Sequence, residues 1–216
     1  MMKLMLARHA ALAMIAALVA GCATAYYSTL EQFGIEKRDV LVDRVKDARG
    51  EQAEAQKVFA SALDEFRSLV EVDGGKLERR YDKLNASYKR ADQQATDVRA
   101  RIKSVNDVGR RLFREWETEL KEYESADLKA RSERQLTRTK SEFEDLMFAM
   151  NRAAEKMDPV LALYNDQVLF LKHNLNARAI SSLDAERAEI ESRVETLIDE
   201  MNAAIAEADA FIANLS

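Results

Sequence analysis

Apolar residues recur along most of the chain in alternating steps of four and three, the spacing of a heptad stripe on a helix. A first run reads Leu41, Val45, Ala48, Gln52, Ala55, Phe59, Ala62, Phe66, Leu69, with Gln52 its polar member. A second reads Leu77, Tyr81, Leu84, Tyr88, Ala91, Ala95, Val98, Ile102, Val105, Gly109, Leu112, Trp116, and reaches Tyr123 past Glu119 or Leu120. A third runs Leu136, Thr139, Phe143, Leu146, Met150, Ala153, Met157, Val160, Tyr164, then slips a step to Val168, Leu171, Leu175. A fourth is Leu183, Arg187, Ile190, Val194, Leu197, Met201, Ala204, Ala208, Phe211, Leu215. Charged residues fill the positions between, so each stripe must be covered by another helix. The pattern predicts an all-α fold: an elongated, rod-like antiparallel coiled coil or four-helix bundle, its helices at about 36–72, 76–123, 128–180 and 183–214.

The interruptions carry turn chemistry. Asp73-Gly74-Gly75 supplies two residues that tolerate positive φ, suited to a helix stop. In Ser125-Ala126-Asp127 either Ser125 or Asp127 can cap the third helix, and Ser181 with Asp184 resembles a capping box for the fourth. Pro159 falls inside the third stripe, and because the stripe continues past it, a kink is expected rather than a restart. Short connections make successive helices antiparallel neighbours. The second helix alone would span roughly 70 Å at 1.5 Å per residue. Residues 23–40, 118–130 and 210–216 then share one end, and residues 70–78 and 172–186 the other.

The first residues belong to a different pattern. Lys3 and Arg8 precede an apolar run from Ala10 to Ala20, too short for a hydrocarbon core, which needs about 20 residues, but suited to a secretory signal. The run ends in Val19-Ala20-Gly21-Cys22, which resembles the lipobox of bacterial lipoproteins, and Cys22 is the single cysteine of the chain. That resemblance implies cleavage between Gly21 and Cys22, a diacylglycerol on the thiol and an acyl group on the new amino terminus. Several acyl chains anchor stably where one binds marginally. Ala23 after the cysteine, by resemblance to sorted lipoproteins, implies the outer membrane, periplasmic side, rather than the inner membrane. Residues 1–21 are thus expected to be a signal peptide and 22–35 a tether, with 36–216 the helical domain. Tyr26, Tyr27 and Phe33 in the tether suit either the membrane–water boundary or packing beneath the bundle.

Charge and composition narrow the chemistry further. The formal charge of −5 falls by two to −7 once Lys3 and Arg8 are removed, which gives no electrostatic footprint for nucleic acid. A lone cysteine permits no internal disulfide, and with Cys22 acylated and His9 removed, His173 is the last His or Cys side chain able to ligate zinc. Glycine-rich phosphate loops, HExxH, GxSxG and EF-hand patterns do not occur. No catalytic residues, metal or cofactor are therefore expected beyond the lipid on Cys22. Trp116 and the methionines Met147, Met150 and Met157 lie on or beside the stripes and read as core.

One stretch departs from generic coiled coil, Gln167 to Ile180. Gln167, Asn174 and Arg178 fall along the edge of the stripe and suit a polar layer that fixes register. Lys172, His173, Asn176 and Arg178 suit, instead, a recognition patch at the end away from the membrane. Both readings stand at this point, with Arg178 expected to pair with Asp73 or Glu71.

Tyr26-Tyr27, the segment Glu36 to Val45, Lys156-Met157-Asp158-Pro159-Val160-Leu161 and Val168 to Ile180 together resemble an uncharacterised family of proteobacterial lipoproteins, gammaproteobacterial in type, catalogued as a domain of unknown function. The resemblance implies an all-helical envelope protein and carries no catalytic residues. The expected role is a lipid-anchored periplasmic scaffold or adaptor without catalytic activity. The alternative is a regulator or cofactor of an envelope (cell-wall) enzyme acting through the far helical end. Its partner is an unidentified envelope protein, and the alanine pairs Ala91/Ala95 and Ala204/Ala208 leave room for self-association.

Overall fold

The heptad stripes become four helices: α1, Lys37–Glu71; α2, Leu77–Glu119; α3, Ala126–His173; and α4, Ala177–Leu215. The computed structural model describes residues 37–71, 77–174 and 177–215, side chains excepted at 70, 71, 77, 177–182 and 184. The chain divides into two units, Met1–Val40 and Leu41–Ser216. Of the first, the described part is the opening turn of α1, where Arg38 and Asp39 lie 3.9 Å apart. The second holds the bundle. Signal cleavage at Gly21, lipidation at Cys22 and the aromatics of the tether lie outside the described residues.

Burial follows the stripes closely. Every expected α1 position from Leu41 to Leu69 is buried, Gln52 included. The same holds for α3 from Leu136 to Tyr164 and on through Val168 and Leu171, and for α4 from Leu183 to Leu215 except half-buried Arg187. The second stripe drifts. Tyr88 is half-exposed while Ser87 is buried, and later Phe113 replaces Leu112 on the buried face. The steps from Ile102 to Phe113 and from Gly109 to Leu120 are both eleven residues, the spacing of a straighter helix than seven-residue steps require.

Contacts between helices fix their order. Arg49 donates to Asp209 at 2.6 and 3.1 Å, Gln56 to Asn202 at 2.8 Å and Arg67 to Glu191 at 2.7 Å. Residue numbers thus rise along α1 as they fall along α4, so the two are antiparallel neighbours. Gln94 donates to the Glu51 carboxylate at 2.8 Å and Arg80 to the Leu69 carbonyl at 3.2 Å, which sets α2 antiparallel to α1. Arg99 reaches Asp158 at 2.5 Å and Lys140 pairs with Glu117, joining α2 to α3; Arg152 reaches Glu200 at 2.5 Å, joining α3 to α4. Each helix packs on its predecessor and α4 closes on α1, which is the up-down-up-down four-helix arrangement. Most of these ion pairs are solvent-exposed and contribute little energy. They report register, while the stripes supply the cohesion.

The helix ends refine the expected boundaries. Ser125 caps α3, its Oγ accepting from the Leu128 N–H at 3.4 Å, and Asp127 occupies the first turn. α2 stops at Glu119, and turn bonds from Lys121 to Thr118 and from Glu122 to Glu119 tighten the exit. α3 runs unbroken through Pro159, whose missing N–H leaves the exposed Glu155 turn short of one bond. The break placed at Ser181–Ser182 lies elsewhere. α3 ends at His173 because Asn174 turns out of helical geometry at φ −132°, ψ 55°, its N–H bonded to the Leu171 carbonyl. Ala177–Ile180 therefore opens α4 instead of closing α3, and Ser181 lies inside a helix. The Asp73-Gly74-Gly75 turn is outside the described residues.

Candidate functional site

The last turns of α3 hold the stretch that the sequence sets apart. Tyr164, Gln167, Val168 and Leu171 face the core, which turns the neighbouring positions outward. Leu169 and Phe170 are 49% and 40% exposed, and Lys172 and His173 beside them are exposed as well. Lys172 and His173 occupy the final turn, where the negative pole of the helix favours positive charge. Neither meets an acidic side chain among the described residues. Of the four expected patch residues, Lys172 and His173 thus share one surface, with two large apolar side chains that the sequence reading did not assign to it. Asn176 and the side chain of Arg178 lie outside the described residues, as does the expected pairing of Arg178 with Asp73 or Glu71.

The polar-layer positions separate in the same region. Gln167 is buried on the stripe. Asn174 works within its own helix end, its Nδ2 donating to the Phe170 carbonyl at 3.0 Å. Nearer the middle of the bundle, two polar groups are buried without a partner among the described residues: both ends of the Gln52 amide and the Tyr164 hydroxyl. Burial pushes the Tyr164 phenol well above its ordinary range, against the opposing pull of the Arg67 charge.

A second concave feature lies between α2 and α3, a groove of about 530 Å³. Phe113, Phe143 and Met147 line its apolar part; Arg110 and Arg114 on α2 and Lys140 on α3 border it. The aromatic floor exists because Gly109 has no side chain: a Cβ there would lie 2.3 Å from Cζ of Phe143. That ring meets Phe113 edge-on at 5.2 Å between centroids and Phe211 of α4 at 5.9 Å. Lys140 sits 5.9 Å from the Phe113 ring centroid and pairs with Glu117, holding that carboxyl below its usual range by hydrogen bond and charge. Met147 is thus half-exposed on a groove, not core, whereas Met150 and Met157 are fully buried. Trp116 is partly buried, its indole N–H donating to the Ser132 hydroxyl at 2.8 Å.

Among the described residues no three His, Cys, Asp or Glu side chains gather as metal ligands would, and no helix is long and apolar enough to cross a membrane. Residues 26–215 match a family described as Protein of unknown function (DUF2959). Neither the curated proteins nor the solved structures contain a match to the chain.

Proposed function

This chain belongs to that family of unknown function, and on that premise we propose that it is a lipid-anchored helical scaffold or adaptor of the bacterial cell envelope, without catalytic activity. The single observation behind this reading is the surface at the end of α3, where Leu169 and Phe170 stand exposed beside Lys172 and His173. Large apolar side chains cluster outward with cationic neighbours where a partner protein supplies the missing cover. The lipobox-like Val19-Ala20-Gly21-Cys22 supports attachment through acyl chains on Cys22, with the helical domain on the periplasmic side of the outer membrane.

Two experiments test the two halves. Labelling with radioactive palmitate should mark the wild type and leave Cys22→Ser unmarked; equal labelling discards the anchor. A photo-crosslinker placed at His173 in intact envelopes should give one discrete adduct that Leu169→Asp/Phe170→Asp abolishes. An unchanged adduct pattern in that variant removes the docking surface. If the adduct proves to be a cell-wall hydrolase or synthase whose activity changes on binding, the protein is a regulator and not a passive scaffold.

A further inference from the structure

The groove between α2 and α3 has a chemistry that bundle packing does not account for. Its volume of about 530 Å³ falls within the range of small-ligand sites, roughly 300–1,000 Å³. Its floor is the accessible edges of two largely buried phenyl rings, Phe113 and Phe143, beside the half-exposed thioether of Met147, which adapts its shape to what it contacts. Phe148, one residue beyond Met147, is 67% exposed and extends apolar surface from the same stretch of α3.

The rim supplies the other half. Lys140 is already engaged by Glu117. Arg110 and Arg114, one helical turn apart on α2, meet no carboxylate among the described residues; the Arg114 Nε donates only to the Arg110 carbonyl of its own helix, at 3.2 Å. Two like charges at this spacing repel each other. Glu144 of α3 lines the groove as well, without an ion pair to either arginine among the described residues. An anion at this rim would relieve the repulsion and accept from both guanidiniums, whose forked donors match a carboxylate.

We propose that this groove binds a single-chain amphiphilic carboxylate, a fatty acid, with its head at Arg110 and Arg114 and its chain over Phe113, Phe143 and Met147 toward Phe148. Gly109 is then a specificity element as well as a packing one, because it sets the depth at which the Phe143 ring lies. The site is independent of the surface at the end of α3 and of the scaffold reading.

The test uses the full chain in phosphatidylcholine vesicles with a diazirine-bearing palmitate as probe. Irradiation should label the α3 peptide that contains Phe143 and Met147. Arg110→Glu/Arg114→Glu, two exposed positions whose exchange leaves the core intact, should reduce that labelling by about tenfold, the loss of one charge-assisted hydrogen bond or more. A diazirine phosphatidylcholine of the same chain length should not label the peptide. Three results overturn the proposal. They are label spread evenly over the outward helix faces, equal labelling by the phospholipid, and crosslinks between two copies of the chain through Phe143 or Met147 in place of the probe. Unchanged helical circular dichroism in the arginine variant separates loss of binding from loss of fold.

Discussion

Gln52 is the residue at which sequence and packing disagree most sharply. It occupies a heptad core position, is fully buried, and leaves an amide donor and acceptor without partners among the described residues. An unmet buried polar group costs about 1–3 kcal/mol. Gln52→Leu should therefore raise the melting temperature, by about 2–4 °C per kcal/mol for a chain of this size. A lower melting temperature would show that the amide is satisfied in solution. A polar group kept in a core stripe at a cost in stability is the device by which coiled coils fix register. The companion observation is that Gln52→Leu should broaden the set of helix pairings seen by crosslinking.

Gly109 makes the opposite compromise. A glycine inside a helix costs about 0.5–1 kcal/mol relative to alanine, yet here the Phe143 ring lies against it. Gly109→Ala should destabilise by about 1–3 kcal/mol despite better helix propensity, because the ring must leave its places against Phe113 and Phe211. Phe143→Leu added to it should recover part of the loss. Additive losses in chemical denaturation would break the proposed coupling.

Helix ends and helix pairs carry their own predictions. Ser125→Ala removes the hydroxyl that accepts from Leu128 and should cost about 1 kcal/mol, read as a lower denaturation midpoint. Glu191 on α4 receives Arg67 of α1 and Arg187 of its own helix, whose hydrogen bonds and charges hold its carboxyl below the ordinary value of 4.5. A carboxyl depressed in the folded state adds stability above its unfolded value, and that share is lost as pH falls through the lowered one. Melting temperature should thus drop as pH falls below about 4.5, and less steeply in Glu191→Gln. Identical slopes would show that this triad does not link α1 to α4.

The elements were legible in the sequence because each stripe repeats over 29 residues or more and charges fill the gaps. What escaped was anything set by register between helices. Leu112 and Phe113 exchange faces because the buried positions step by eleven residues from Ile102 to Phe113, which a local reading in steps of seven cannot see. The end of α3 was placed too late, since apolar spacing persists across Asn174 while the backbone does not. The groove was invisible for a related reason. Phe113 and Phe143 lie on different helices, and only the packed register brings them together over Gly109. Lys172 and His173 stand out in the sequence because polar and cationic residues crowd one short stretch, whereas the outward turn of Leu169 and Phe170 follows only from which neighbours the core takes.

For the molecule as a whole, the four helices cover one another's stripes in chain order, with α4 returning to α1. Ala91, Ala95, Ala204 and Ala208 are fully buried within a single chain, so their small size serves close approach of its own helices. Any self-association draws instead on outward features such as Leu169 and Phe170 at the end of α3. The fold depends most on closure of α4 onto α1, because without it the core faces of both helices meet water. The direct measurement is a dipolar electron–electron distance between nitroxides on Arg49→Cys and Asp209→Cys in a Cys22→Ser background. Axes of packed helices lie about 8–10 Å apart, so the distribution should be single and centred below about 25 Å. A main population beyond about 40 Å would mean that the two helices are not neighbours, and the four-helix order would be wrong.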